Sequence, residues 1–238
     1  MAHVLKATKR VVCAAGIALT VAFGGHAAAQ TISSSGDLDL AGTDWSALSA
    51  AWWQSVLSTP TGVNPVLDST GEHCMVGQRG PIWFLHGTFS GSATVRNCLV
   101  PADKALFFPV INNVVSNTPN LCGQAGPMNT AQLRAAVAPF IDAANHLSVA
   151  VDGQPVPMRR VRSIPFAMTP PADNVFVVPC GGPDQSPTGV FSPTVDDGYY
   201  VLLEPLSKGR HTLRILATSG GFSTDVTYNL TIAPVSLR

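Results

Sequence analysis

Three runs near the C-terminus set the tightest limit on what this chain can fold into. Tyr199 to Leu206, His211 to Ala217 and Phe222 to Ile232 carry a repeat of two and are separated by Ser207-Lys208-Gly209 and Gly220-Gly221. A period of two sends successive side chains to opposite faces of an extended backbone. The glycine-bearing breaks supply the positive φ angles that tight turns need. The segment therefore predicts three successive strands. Upstream, LSVAVDGQPVP reads as a strand, a hairpin turn at Asp152-Gly153 and a returning strand, and Val175 to Val178 supplies another candidate strand.

Two stretches follow the helical period instead. Asp44 can cap free backbone N–H groups, and Trp45, Leu48, Trp52 and Val56 then fall on one face, with Trp53 widening the apolar stripe toward Leu57. The helix should end before Thr59-Pro60. A second helix is predicted from a cap at Asn129 or Thr130 to Asn145, with Gln132 placed for a capping box and Pro139 expected to kink or divide it. Between them, Pro81 to His86 reads as a buried strand with Ala93 to Val100 as its partner, and Ala105 to Val115 as a third apolar strand. The fold class is mainly β with two helices packed against or beside an antiparallel β-sandwich, immunoglobulin-like or jelly-roll-like in its C-terminal half.

The N-terminus carries an address. Lys6, Lys9 and Arg10 precede the apolar run Val11 to Gly25, and Ala27-Ala28-Ala29 supplies small residues before Gln30. That pattern predicts a signal peptide over 1–29 and an exported protein, periplasmic or extracellular. Residues 30–43 read as a flexible arm and 44–238 as one domain, with a possible sub-boundary near 146. Of the five cysteines, Cys13 belongs to the leader, which leaves Cys74, Cys98, Cys122 and Cys180. In an oxidising compartment four thiols default to two disulfides, and Cys74 with Cys98 plus Cys122 with Cys180 is the preferred pairing of the three possible. Past the leader no apolar run is long enough to cross a bilayer as a helix. The same segment holds 11 basic and 14 acidic residues, so no nucleic-acid footprint is present.

Candidate chemistry is sparse, and no cofactor is implied. His86-Gly87 closes an apolar strand as in the oxyanion-hole strand of α/β-hydrolases, but the G-x-S-x-G elbow that such enzymes need is missing. Glu72 and His73 flank Cys74, and a Cys74–Cys98 staple could bring them toward His86 as a base or metal cluster. The plainer reading is solvated loop residues. Trp45, Trp52 and Trp53 could form a ligand platform, although helical spacing favours core packing. Asp196-Asp197-Gly198, ahead of the strand from Tyr199, could hold calcium through oxygen ligands, although a turn is the favoured reading. Arg159, Arg160 and Arg162 suggest a charged strand edge.

The order WWQSVLS, NPVLDSTGEHC, GQRGPIWFLHG, CLVPADKALFFPVIN and DDGYYVLLEPLSKGRHTLRI resembles a group of exported bacterial proteins with no established activity. The resemblance implies export and a single extended domain, and brings no catalytic residues with it. The expected function is an exported, non-catalytic binding or envelope-associated protein whose partner is a glycan or another exported protein. The alternative is a secreted hydrolase or lyase with a His/carboxylate site.

Overall fold

The computed structural model describes residues 40, 42–121, 123–177 and 188–234. The predicted leader, most of the predicted arm and the expected Cys122–Cys180 pairing fall outside them. Helix α1 spans Trp45–Leu57, and Asp44 caps it by accepting from the amides of Ser46 and Ala47. Strands β1 (Ile82–Phe84), β2 (Thr94–Pro101) and β3 (Ala105–Ser116) follow. Helix α2 covers Thr130–Asp142, opened by the Asn129–Gln132 capping box. Next come β4 (Asn145–Val151), β5 (Gln154–Pro155), β6 (Arg159–Arg162) and β7 (Phe166–Met168). The long strands β8 (Phe191–Leu203), β9 (Gly209–Ser219) and β10 (Phe222–Ala233) complete the fold.

The protein is mainly β with two helices, and its strands form two five-stranded sheets. One runs β1-β3-β8-β6, with β7 also paired to β8; the other runs β2-β10-β9-β4-β5. Both are mixed rather than antiparallel, because β1 lies parallel to β3 and β2 parallel to β10. Parallel neighbours need a crossover, and β2, in the opposite sheet, is the crossover between β1 and β3. The expected β1–β2 pairing is thus replaced by two pairings with more distant strands. Likewise Ser207-Lys208-Gly209 carries the chain from one sheet to the other instead of closing a hairpin, while β9 and β10 do form one. At Asp152-Gly153 both φ angles are positive, 51° and 78°, as the two-residue hairpin joining β4 and β5 requires.

Three layers result. Leu106, Phe108, Val110 and Val201 of the first sheet meet Leu213, Ile215, Val226, Tyr228 and Leu230 of the second to form the sandwich core. Phe107 and Tyr200, one residue out of phase, face the other way, onto Trp52, Trp53 and Val56 of α1. The first sheet is therefore buried on both sides, which is why Ala105 to Ile111 is a continuous apolar run. Helix α2 continues the second layer: Leu133 and Val137 pack on Val195, and Ser219 Oγ donates to the Phe140 carbonyl. It runs unbroken through Pro139 and stops at Asp142, because β4 starts at Asn145. Val175–Val177 is a short 3-10 turn, not a strand. Both sheets take strands from each side of residue 146. A disulfide joins Cys74 to Cys98, whose Cα atoms are 5.8 Å apart.

Candidate functional site

Strand β1 pairs with β3 only at Ala105–Phe107. Beyond that point the edge of β3 is uncovered, and a bulge between Pro109 and Ile111 shifts its register against β8. An inserted residue exchanges the faces of every side chain after it. Val110 and Ile111 accordingly both enter the sandwich core, and Asn112 and Val114 turn to the α1 side. A cavity of about 580 Å³ opens along this edge.

Its wall is mostly apolar. Trp53 and Leu57 come from α1, Val66 and Leu67 from the loop after it, Phe89 from the 85–93 connection and Val114 from β3, with Phe140 and Phe222 at the far side. Trp53 and Phe89 stack with ring centroids 6.4 Å apart. Phe89 is one of the few large apolar side chains left exposed, at 39%. Polar groups are few. Thr88 and Ser90 hydrogen-bond to each other through their hydroxyls at 2.9 Å. Asp68 already accepts from the amides of Thr70, Gly71 and His73; burial alone would raise its pKa, but these hydrogen bonds outweigh it and hold the carboxyl below its ordinary value. Asn113 accepts from the Val114 amide through Oδ1, and its NH2 group makes no hydrogen bond within the described residues. Asn112 donates to the Tyr200 hydroxyl at 2.9 Å, leaving its carbonyl oxygen free to accept.

Behind this wall lies a buried carboxyl. Adjacent strand residues point to opposite faces, so Asp196 and Asp197, within β8 rather than ahead of it, do not face a common ion. Asp197 meets Arg160 in a two-point ion pair, at 2.9 and 2.8 Å, with Arg162 at 3.3 Å, and Arg160 also reaches Asp142 of α2 at 2.7 Å. The two aspartates hold the arginines of the edge strand β6 on one face and the polar anchor of α1 on the other. Asp196 Oδ1 accepts from Trp53 Nε1 at 2.9 Å and from the Tyr200 hydroxyl at 2.7 Å. Among the described residues its Oδ2 has no partner. The neighbouring Ser49 hydroxyl donates instead to the Ser46 carbonyl, at 3.2 Å. Burial pushes the Asp196 pKa up to about 7, against the hydrogen bonds from Tyr200 and Trp53. Gly198 is what lets the strands close here: a Cβ on it would stand 2.5 Å from that of Asn112.

The remaining candidates lie apart. Glu72 is exposed and His73 half-buried, and no hydrogen bond joins them to His86. His86 is 2% exposed against Trp52, its ring centroid 5.3 Å away, and among the described residues Nε2 has no partner. Burial, then the nearby Arg96 charge, lowers its pKa to about 3. Arg96 is itself buried and donates to the carbonyls of Asp68 and His86 and to the Tyr228 hydroxyl. Among the described residues, no group of three or more His, Cys, Asp or Glu could hold a metal. Trp52 and Trp53 are core residues; Trp45 is half-buried, edge-on to Phe107 and beneath Arg159. No exposed tryptophan platform is formed by the three.

One Ser-His-Asp arrangement escaped the sequence reading. His211 Nδ1 is 2.6 Å from Asp152 Oδ2, and Nε2 is 3.2 Å from Ser207 Oγ. Nε2 is closer, at 2.9 Å, to the Ser207 carbonyl. The Nε2 contact with the Ser207 carbonyl is shorter than the one with its hydroxyl, so the ring is seated on the backbone of Ser207 rather than aimed at Oγ. The trio is a clamp between the β4–β5 hairpin and the crossover to β9.

The class these features define is a mixed β-sandwich with one helix against its outer sheet face and an apolar cavity at a bulged strand edge. No family model, curated protein or solved structure matches the chain.

Proposed function

We propose that this is an exported, non-catalytic binding protein whose ligand is a small, mostly apolar molecule carrying a hydroxyl or amide group. The cavity at the β3 edge is the observation that carries this reading. Its volume of about 580 Å³ suits one small molecule, within the range of about 300–1,000 Å³ usual for such sites. Phe89, Trp53 and Val114 offer it contact area, while the free Asn113 NH2 and Asn112 carbonyl offer one donor and one acceptor. A glycan fits less well, since most of its hydroxyls would face apolar wall without partners. Among the described residues no histidine or cysteine lines the cavity, and the Asp68 carboxylate is occupied by backbone amides.

The test is a fluorescence titration with N-phenyl-1-naphthylamine, an uncharged apolar probe, on the oxidised protein and on Val114→Trp, which fills the cavity. Saturable binding, weakened at least tenfold by Val114→Trp, is expected. No saturable binding, or equal binding by the variant, would overturn the reading.

A further inference from the structure

Two residues of the cavity wall, Trp53 and Asn112, are tied to one buried carboxyl, Trp53 directly and Asn112 through the Tyr200 hydroxyl. Resting on the binding reading above, we propose that the cavity holds its apolar ligand in a proton-dependent manner, tightly while Asp196 is neutral and weakly once it is ionised.

Asp196 is fully buried, and its Oδ2 is an orphan as an acceptor. A proton on Oδ2 repairs this, because Ser49 Oγ spends its hydrogen on the Ser46 carbonyl and keeps lone pairs to accept with. The neutral acid thus completes the network. The ionised acid leaves a charge among Trp53, Tyr200 and the apolar face of α1, where it is stabilised only by two donors and by whatever water can approach. The cavity on the far side of Trp53 and Asn112 is the nearby space that water can fill. An apolar ligand displaces that water and so makes the ionised form costlier. By reciprocity, ionisation must weaken the ligand by the same factor.

The other groups facing Asp196 do not confuse the assignment. Among the described residues, helix α1 presents Ser49 and Trp53 and β3 presents Asn112, all uncharged. Ser163, whose Oγ bonds the Asp196 amide, is uncharged; its carbonyl accepts from Arg134 of α2. On β8, Tyr200 is held well above the ordinary tyrosine range by burial and by Asp196, and Asp197 points away to Arg160 and Arg162. His86, behind Trp52, titrates far below neutrality.

The experiment is the N-phenyl-1-naphthylamine titration at pH 5.5, 7 and 8.5 on the wild type, Asp196→Asn, Tyr200→Phe and Val114→Trp. Each pH unit by which the ligand raises the pKa of Asp196 is worth tenfold in affinity, so wild-type affinity should fall about tenfold across the range. Asp196→Asn keeps an acceptor for Trp53 and Tyr200 and should bind alike at pH 5.5 and 8.5. Tyr200→Phe removes a donor to the carboxylate and should move the midpoint to higher pH. A wild-type affinity that is flat with pH, with Val114→Trp still impaired, would overturn the proton dependence and leave the binding site standing. A pH dependence that survives in Asp196→Asn would overturn it too. No binding at any pH would remove the site and the inference together.

Discussion

Replacing Asp196 by Asn should make the protein more stable at alkaline pH and leave it nearly unchanged in acid. The pKa of Asp196 rises from 3.8 to about 7 on folding, so the folded state binds the proton more tightly than the unfolded chain. Such a group costs nothing below pH 4, and its penalty grows as pH rises to 7 and stays constant above. The interval is about three pH units at about 1.4 kcal/mol each, which gives a penalty of about 4 kcal/mol at pH 8. The side chain is fully buried, so solvent screening does not reduce this figure. His86 works in the opposite sense. Held at about 3 by burial and Arg96, it makes the fold lose stability as pH falls from 6.5 toward 3, so the two slopes partly cancel in the wild type. The difference between wild type and Asp196→Asn removes the His86 contribution and isolates Asp196. Urea unfolding of both oxidised proteins at pH 4.5, 6 and 8 is the assay. The variant should match the wild type within about 1 kcal/mol at pH 4.5 and exceed it by about 3–4 kcal/mol at pH 8. A difference independent of pH, or a wild type favoured at pH 8, would show that Asp196 carries no such penalty.

Gly198→Ala puts a methyl group 2.5 Å from Asn112 Cβ and 2.9 Å from the Ile111 carbonyl oxygen; a loss of about 2–3 kcal/mol is expected by urea unfolding, and an unchanged midpoint would be contrary. Cys74→Ser with Cys98→Ser opens a loop whose ends are 24 residues apart, and on the chain-entropy model should cost about 3 kcal/mol, read as a lower urea midpoint matched by the reduced wild type. Ser207 should not react with a fluorophosphonate probe, as mass spectrometry of the treated protein can check, because His211 Nε2 is directed to the Ser207 carbonyl; stoichiometric labelling at Ser207 would reinstate a nucleophile.

What the sequence made legible was local. Both helix starts are readable because a cap is one side chain acting on its own backbone, as Asp44 and Asn129 show. The β9–β10 hairpin and the Asp152-Gly153 turn are readable for the same reason. Strand partners are not local: nothing in Pro81 to His86 says that it pairs with Ala105–Phe107 rather than with the next strand. The aspartates looked like turn formers because two adjacent carboxylates are costly inside a sheet, and only the opposed partners, Trp53 and Tyr200 on one side and Arg160 on the other, make them tolerable. The cavity was hidden because the bulge beside Pro109 exchanges the faces of Asn112 and Val114, which breaks the period that sequence reading follows. Phe89 alone gave a signal, as a large apolar residue in the loop GTFSGS with no periodic partner.

Whether the bulged edge of β3 holds a small apolar ligand can be read from ¹H–¹⁵N correlation spectra recorded while N-phenyl-1-naphthylamine is added. Shifts of the Trp53 indole N–H and of amides at 66–69, 88–90 and 112–114 are expected. Shifts confined to the groove of about 550 Å³ bordered by Asn97, Leu99, Thr212 and Asn229 on the second sheet, or no shifts at saturating probe, would contradict binding at this edge.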